Sequence, residues 1–125
     1  MNAQPYVTFV TFFRNDGYTD DFDLRVRRAT RFLVRQLQRF GVDAEVILVE
    51  WNPPAGDALL IDSLGPLPQG SCVQVRGIVV AKEHHQGFRG ADEWGMHPGA
   101  AANVGLRRAR GQFVSPKAAD SYLSD

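Results

Sequence analysis

The chain has 125 residues, enough for one domain with its own hydrophobic core and too few for two. Hydrophobic residues make up 44% and charged residues 22%, the balance of an ordinary globular protein. Fourteen basic residues match fourteen acidic ones, so no global field draws the chain to nucleic acid or an anionic membrane, and the single Cys72 excludes an intramolecular disulfide and a multi-cysteine zinc site.

Met1 to Pro5 lacks the basic start and apolar stretch of a secretory signal. Tyr6 to Phe13 is rich in β-branched and aromatic residues and predicts a strand buried on both faces. Its apolar run is broken by Thr and closed by Arg14, far short of a membrane span, so a cytoplasmic protein is expected. Arg14-Asn15-Asp16-Gly17 makes the carboxyl end of that strand polar. Asp20, Asp21 and Asp23 then open a helix, where the dipole and unpaired amides favour negative charge. Phe22, Val26, Ala29, Leu33, Leu37 and Phe40 recur three and four residues apart and draw one apolar stripe, with Gly41 as the stop. Arg25, Arg28, Arg31, Arg35 and Arg39 fall largely off the stripe; the neutral chain favours a solvated face over a nucleic-acid surface.

Ala44 to Glu50 predicts a second buried strand, ended by Trp51-Asn52-Pro53-Pro54, since two prolines cannot continue a central strand. Asp57 to Leu64 is a short helix candidate. Cys72 to Val80 predicts a third strand, in which Cys72 reads as a small buried hydrophobe, and Lys82 to Gly95 a polar loop. A third helix begins near Pro98 and stops at Gly111, with Arg107, Arg108 and Arg110 favoring its carboxyl end; Gln112 to Ser115 begins a fourth strand.

The sum is β-α-β-α-β-α-β, an α/β Rossmann-like three-layer sandwich with a mostly parallel sheet, spanning residues 1–125 as a single domain. Ligands in such sheets bind beyond the carboxyl ends of the strands. Those ends carry acceptors (Asp16, Glu50, Asp120), amides (Asn15, Asn52) and cations (Arg14, Lys117), a mixture suited to a nucleotide. No G-x-G-x-x-G follows the first strand and no phosphate-loop motif is present, which argues against dinucleotide binding and NTP hydrolysis by those devices. His84, His85, His97 and Asp92 invite a zinc hypothesis, but adjacent histidines in extended chain point to opposite sides. Trp51 suits packing and base stacking equally well.

EWNPP at Glu50 to Pro54, the ANVGLRRARGQF run from Ala102 to Phe113, and the closing KAADSYLSD together resemble family-2-type glycosyltransferases, in the amino-terminal, nucleotide-sugar-binding half of their GT-A domain. The likeness runs from the first strand to the last residue. It implies that Arg14, Asn15 and Asp16 border the nucleobase or ribose, that Glu50 serves the nucleotide, and that Asn103 and Arg107 sit in a helix packed against its site. It also implies that Asp120 helps hold a divalent cation, Mg²⁺ or Mn²⁺, on the diphosphate of a nucleotide sugar, with a uridine nucleotide as the default. Two positions depart from the pattern. Ala118 stands where a second carboxylate is common, leaving Lys117 to supply charge or the metal to arrive with the nucleotide, and Ala102 replaces a frequent Lys.

The resemblance puts the acceptor-binding half and the catalytic base beyond Asp125. The expectation is therefore an inverting glycosyltransferase, or the donor-binding half of one, needing a further segment or a partner to complete transfer. The alternative is a noncatalytic nucleotide- or partner-binding module. Half a domain would also leave apolar faces uncovered and favour a homo-oligomer.

Overall fold

The computed structural model describes residues 4–17, 19–65 and 72–124. Among these the elements run β1 Val7–Phe13, α1 Phe22–Arg39, β2 Ala44–Trp51, β3 Val73–Val80, α2 Lys82–His85, α3 Pro98–Arg108 and β4 Phe113–Pro116, with a 3-10 turn between β2 and β3. The four strands form one sheet in the order β3-β2-β1-β4, and every pairing is parallel. This is the expected α/β architecture with a Rossmann-like strand order.

Why β2 is central follows from its sequence. AEVILVEW has no residue that must reach water once its two glutamates find partners, and all eight residues are buried. Alternation along the strands then sorts two cores. Phe13, Val46 and Leu48 face α1, whose Phe22, Val26, Leu33 and Leu37 complete that layer. Val10, Ile47, Val49 and Trp51 face α3 and meet Ala101. Each fully buried aliphatic side chain of this kind contributes about 1.5–3 kcal/mol, so the two-sided burial of β2 anchors the domain. On the α3 side the helix can lie close because position 105 has no side chain: a Cβ on Gly105 would run into Val10 and stand 3.3 Å from Val49.

At the amino-terminal edge, the fully buried Glu45 ties three elements together. Its carboxylate accepts from Thr8 Oγ1 at 3.1 Å, Arg76 Nε at 2.9 Å and the Arg110 amide at 3.1 Å. Burial alone would raise this carboxyl, but Arg76, the Arg110 amide and the Thr8 hydroxyl together hold it below its ordinary value.

Several local expectations are corrected. β1, β3 and β4 each begin one residue later than the sequence suggests, and α3 ends at Arg108 instead of reaching Gly111. Gly111 is needed for a close approach instead: its amide donates to Thr8 Oγ1 at 2.9 Å, and a Cβ there would stand 2.5 Å from the Thr8 amide nitrogen. The apolar stripe of α1 stops at Leu37. Phe40 lies past the helix end, 55% exposed, with the Arg39 guanidinium over its ring. Asp21 takes the N-cap position in a left-handed conformation and its side chain makes no capping bond; Asp23 pairs with Arg27 one turn on. Of the helix expected over 57–64, only a 3-10 turn at Ile61–Ser63 forms. The polar loop from Lys82 contains the one-turn helix α2. Burial on both faces fails for β3 and β4 because they are the sheet's edges.

Candidate functional site

In the order β3-β2-β1-β4 the chain leaves β1 toward β2 and returns on β1's other side as β4. The carboxyl ends of β1 and β4 therefore flank a topological switch point, where the outgoing connections diverge and open a crevice. A pocket of about 250 Å³ lies there, lined by Phe12, Phe13, Arg14 and Asp16 from the β1 end, Phe22 from α1, Met96, and Ala118, Ala119 and Asp120 after β4. Its walls are apolar and its polar groups are few, as small-ligand pockets require.

Arg14 is fixed within this site. Its Nε donates to the Asn52 carbonyl at 2.7 Å and its Nη1 pairs with Asp16 at 3.0 Å. Asn52 presents that carbonyl from a left-handed conformation, φ 45°, while its side-chain amide donates to Gly95 O at 3.1 Å. Gly95 leaves room for the guanidinium, since a Cβ there would stand 2.7 Å from Arg14 Nη1. Arg14 also lines a second cavity of about 580 Å³, with Asn52, Pro53, Pro54, Lys82, Glu83 and the 91–95 segment among its walls. One guanidinium thus separates two adjoining spaces on the same edge.

Asp120 lines the smaller pocket and forms an ion pair with Arg25 of α1 at 3.1 Å. Each of the pocket's two carboxylates therefore already holds an arginine. Lys117, at the end of β4, is buried; its ammonium donates to the Ala118 carbonyl at 3.0 Å. Burial lowers its pKa from the ordinary lysine value, and the nearby Asp120 charge partly offsets that.

The remaining predicted residues divide. Glu50 is fully buried, and its two oxygens accept from the amides of Leu60 and Ile61, both at 3.0 Å, which holds the start of the 3-10 turn. Asn15 is half-buried at the β1 end and lines neither cavity. Asn103 and Arg107 are exposed on α3 and border a separate groove of about 790 Å³ beside the edge strand β3. The structure thus brings Arg14, Asp16 and Asp120 to one pocket, sets Asn52 beside Arg14 on the wall of the larger cavity, buries Glu50 and Lys117 on backbone partners, and places Asn103 and Arg107 elsewhere.

Sequence reasoning missed the aromatic cluster beside the larger cavity. Trp51, His85, Phe88 and His97 pack ring against ring, with centroids 5.0–6.4 Å apart. The burial of Trp51 was readable from its parity with Ile47 and Val49; nothing in the polar loop marked His85 as its partner. Among the described residues no three His, Cys, Asp or Glu side chains group to hold a metal ion, and His85 and His97 pack within this ring cluster.

The chain is thus a parallel α/β domain with a polar-rimmed pocket at its switch point. In comparisons with protein-family models, curated proteins and solved structures, no match to the chain was found. No helix among the described residues is long and apolar enough to cross a membrane.

Proposed function

We propose that the carboxyl edge of the sheet binds the nucleotide of a nucleotide-diphosphate sugar, and that the chain is a glycosyltransferase or the donor-binding half of one. The observation that best supports this reading is that Arg14, Asp16 and Asp120, drawn from the ends of β1 and β4, line one pocket at the switch point. The small pocket suits a ribose or a phosphate group, and the adjoining larger cavity offers room for the rest of the donor. Arg14, positioned between them by the Asn52 carbonyl, is the charge-assisted donor best placed for a phosphate oxygen.

A divalent cation arriving with the nucleotide would be held by Asp120 together with phosphate and water, and would neutralise charge on the leaving diphosphate. Asp120 would need to share or release Arg25 to take part. That ion pair, with Ala118 in place of a second carboxylate, favours a second reading: a binding module that meets the phosphates with Arg14 and Arg25 and uses no metal.

Calorimetry with UDP, GDP and ADP, with and without Mn²⁺, on wild type and Asp120→Ala, separates the two. The donor-site reading expects metal-dependent binding of one nucleotide, weakened roughly tenfold or more by Asp120→Ala, the loss of one charged contact. Metal-independent binding that survives Asp120→Ala, or strengthens as Arg25 is released, supports the module. A folded chain that binds no nucleotide sinks both.

A further inference from the structure

Between Leu24 and Val42 the chain carries six arginines and no carboxylate. The rest of the molecule is acidic, with eight basic residues against all fourteen acidic ones, so the neutral total conceals a segregated charge. At physiological ionic strength charges are screened within about 8 Å, and a local stripe rather than the whole-chain sum decides what a surface attracts.

The fold turns those arginines into such a stripe. α1 packs Val26, Ala29, Leu33, Val34 and Leu37 inward, which leaves Arg25, Arg28, Phe32, Arg35 and Arg39 exposed at alternating spacings of three and four. From Arg25 to Arg39 the stripe runs about 21 Å along the outer layer of the sandwich. Arg25 is committed to Asp120, whereas Arg28 and Arg35 have no ion-pair partner among the described residues.

Phe32 lies at the centre of the stripe. This ring is 43% exposed and meets the exposed Tyr122 edge-on, 5.1 Å between centroids. The exposed Leu123 follows, held against α1 by Gln36 Nε2 on its carbonyl at 3.2 Å. Arginines beside exposed aromatic and aliphatic side chains are the composition of a surface that rests at a lipid headgroup boundary.

We infer that the outer face of α1, together with Tyr122 and Leu123, docks the protein peripherally on an anionic lipid bilayer. A planar bilayer fits the straight stripe, with Asp120 neutralising Arg25 at its amino-terminal end. A nucleic acid fits less well: the stripe has no groove to track a backbone, and Phe32 and Tyr122 stand edge-to-face and offer no parallel platform for bases. This inference does not depend on the nucleotide reading.

The test is flotation with vesicles of equal parts phosphatidylglycerol and phosphatidylcholine, against phosphatidylcholine alone. Wild type should float with the anionic vesicles only and be released by salt. An arginine near such a surface contributes about fivefold in binding, so Arg28→Glu/Arg35→Glu should weaken partitioning more than tenfold. Phe32→Ser should weaken it further, while Phe32→Trp should retain it. Lys82→Glu/Arg89→Glu makes the same change in net charge on the β3–α3 connection and should float like wild type. Wild type that fails to float, equal losses in the two double variants, or binding to DNA in place of vesicles would overturn the inference. Circular dichroism of each variant separates loss of docking from loss of fold.

Discussion

The indole N–H of Trp51 donates to Nδ1 of His85 at 2.9 Å, and both side chains are buried. With Nδ1 accepting, the proton of a neutral His85 sits on Nε2, which lies 3.1 Å from the Ala91 carbonyl. One imidazole thus links the end of β2 to α2 and to the 91–95 segment on the wall of the larger cavity.

His85→Ala should therefore cost about 2–4 kcal/mol, because it leaves a buried indole N–H without an acceptor and a gap beside Trp51. Urea unfolding gives the cost, and Trp51 emission should shift to the red as water reaches the ring. An unchanged midpoint would mean that the β3–α3 connection is held by other contacts.

The value of Glu50 is the second expectation. With both oxygens on backbone amides, Glu50 holds the start of the 3-10 turn and lines neither cavity at the carboxyl edge. Glu50→Ala leaves two amides unanswered and should destabilise by about 3 kcal/mol, with Glu50→Gln intermediate since it keeps one acceptor. Nucleotide affinity of the folded fraction should change little in either. A Glu50→Gln protein as stable as wild type that has lost its nucleotide would return Glu50 to the ligand.

The legibility of this molecule follows from the range of the interactions involved. β2 and α1 could be read because their signals are local: an unbroken apolar run, and a stripe repeating every three or four residues. The edge status of β3 and β4 could not, because Val73–Val80 and Phe113–Pro116 are apolar enough for either place and only the strand order decides. At the candidate site, strand ends predicted the meeting of Arg14, Asp16 and Asp120, since parallel strands deliver their carboxyl ends to one edge. What residue 50 does depended on two amides in a turn that sequence does not mark, and what residue 103 borders depended on a groove that sequence does not reveal. The Arg25–Asp120 ion pair, joining residues 95 positions apart, is of the same kind.

The third expectation concerns acid. Glu45 has a folded pKa below its ordinary value of 4.5, so its contribution to stability is fully present above that value and is lost as the pH falls through the lower, folded one. Urea midpoints should accordingly decline below pH 4.5. Arg76→Ala should flatten part of that decline and lower stability near neutrality by on the order of 3 kcal/mol, as a buried carboxylate loses its charged partner. Glu45→Gln should flatten it more completely, since no titrating group remains at the position. It also keeps an acceptor for Thr8 and the Arg110 amide, and so should cost less at neutral pH than Arg76→Ala does. If Glu45→Gln shows the same acid slope as wild type, the carboxylates that govern acid unfolding lie elsewhere, and the network at the amino-terminal edge acts through its geometry rather than its charge.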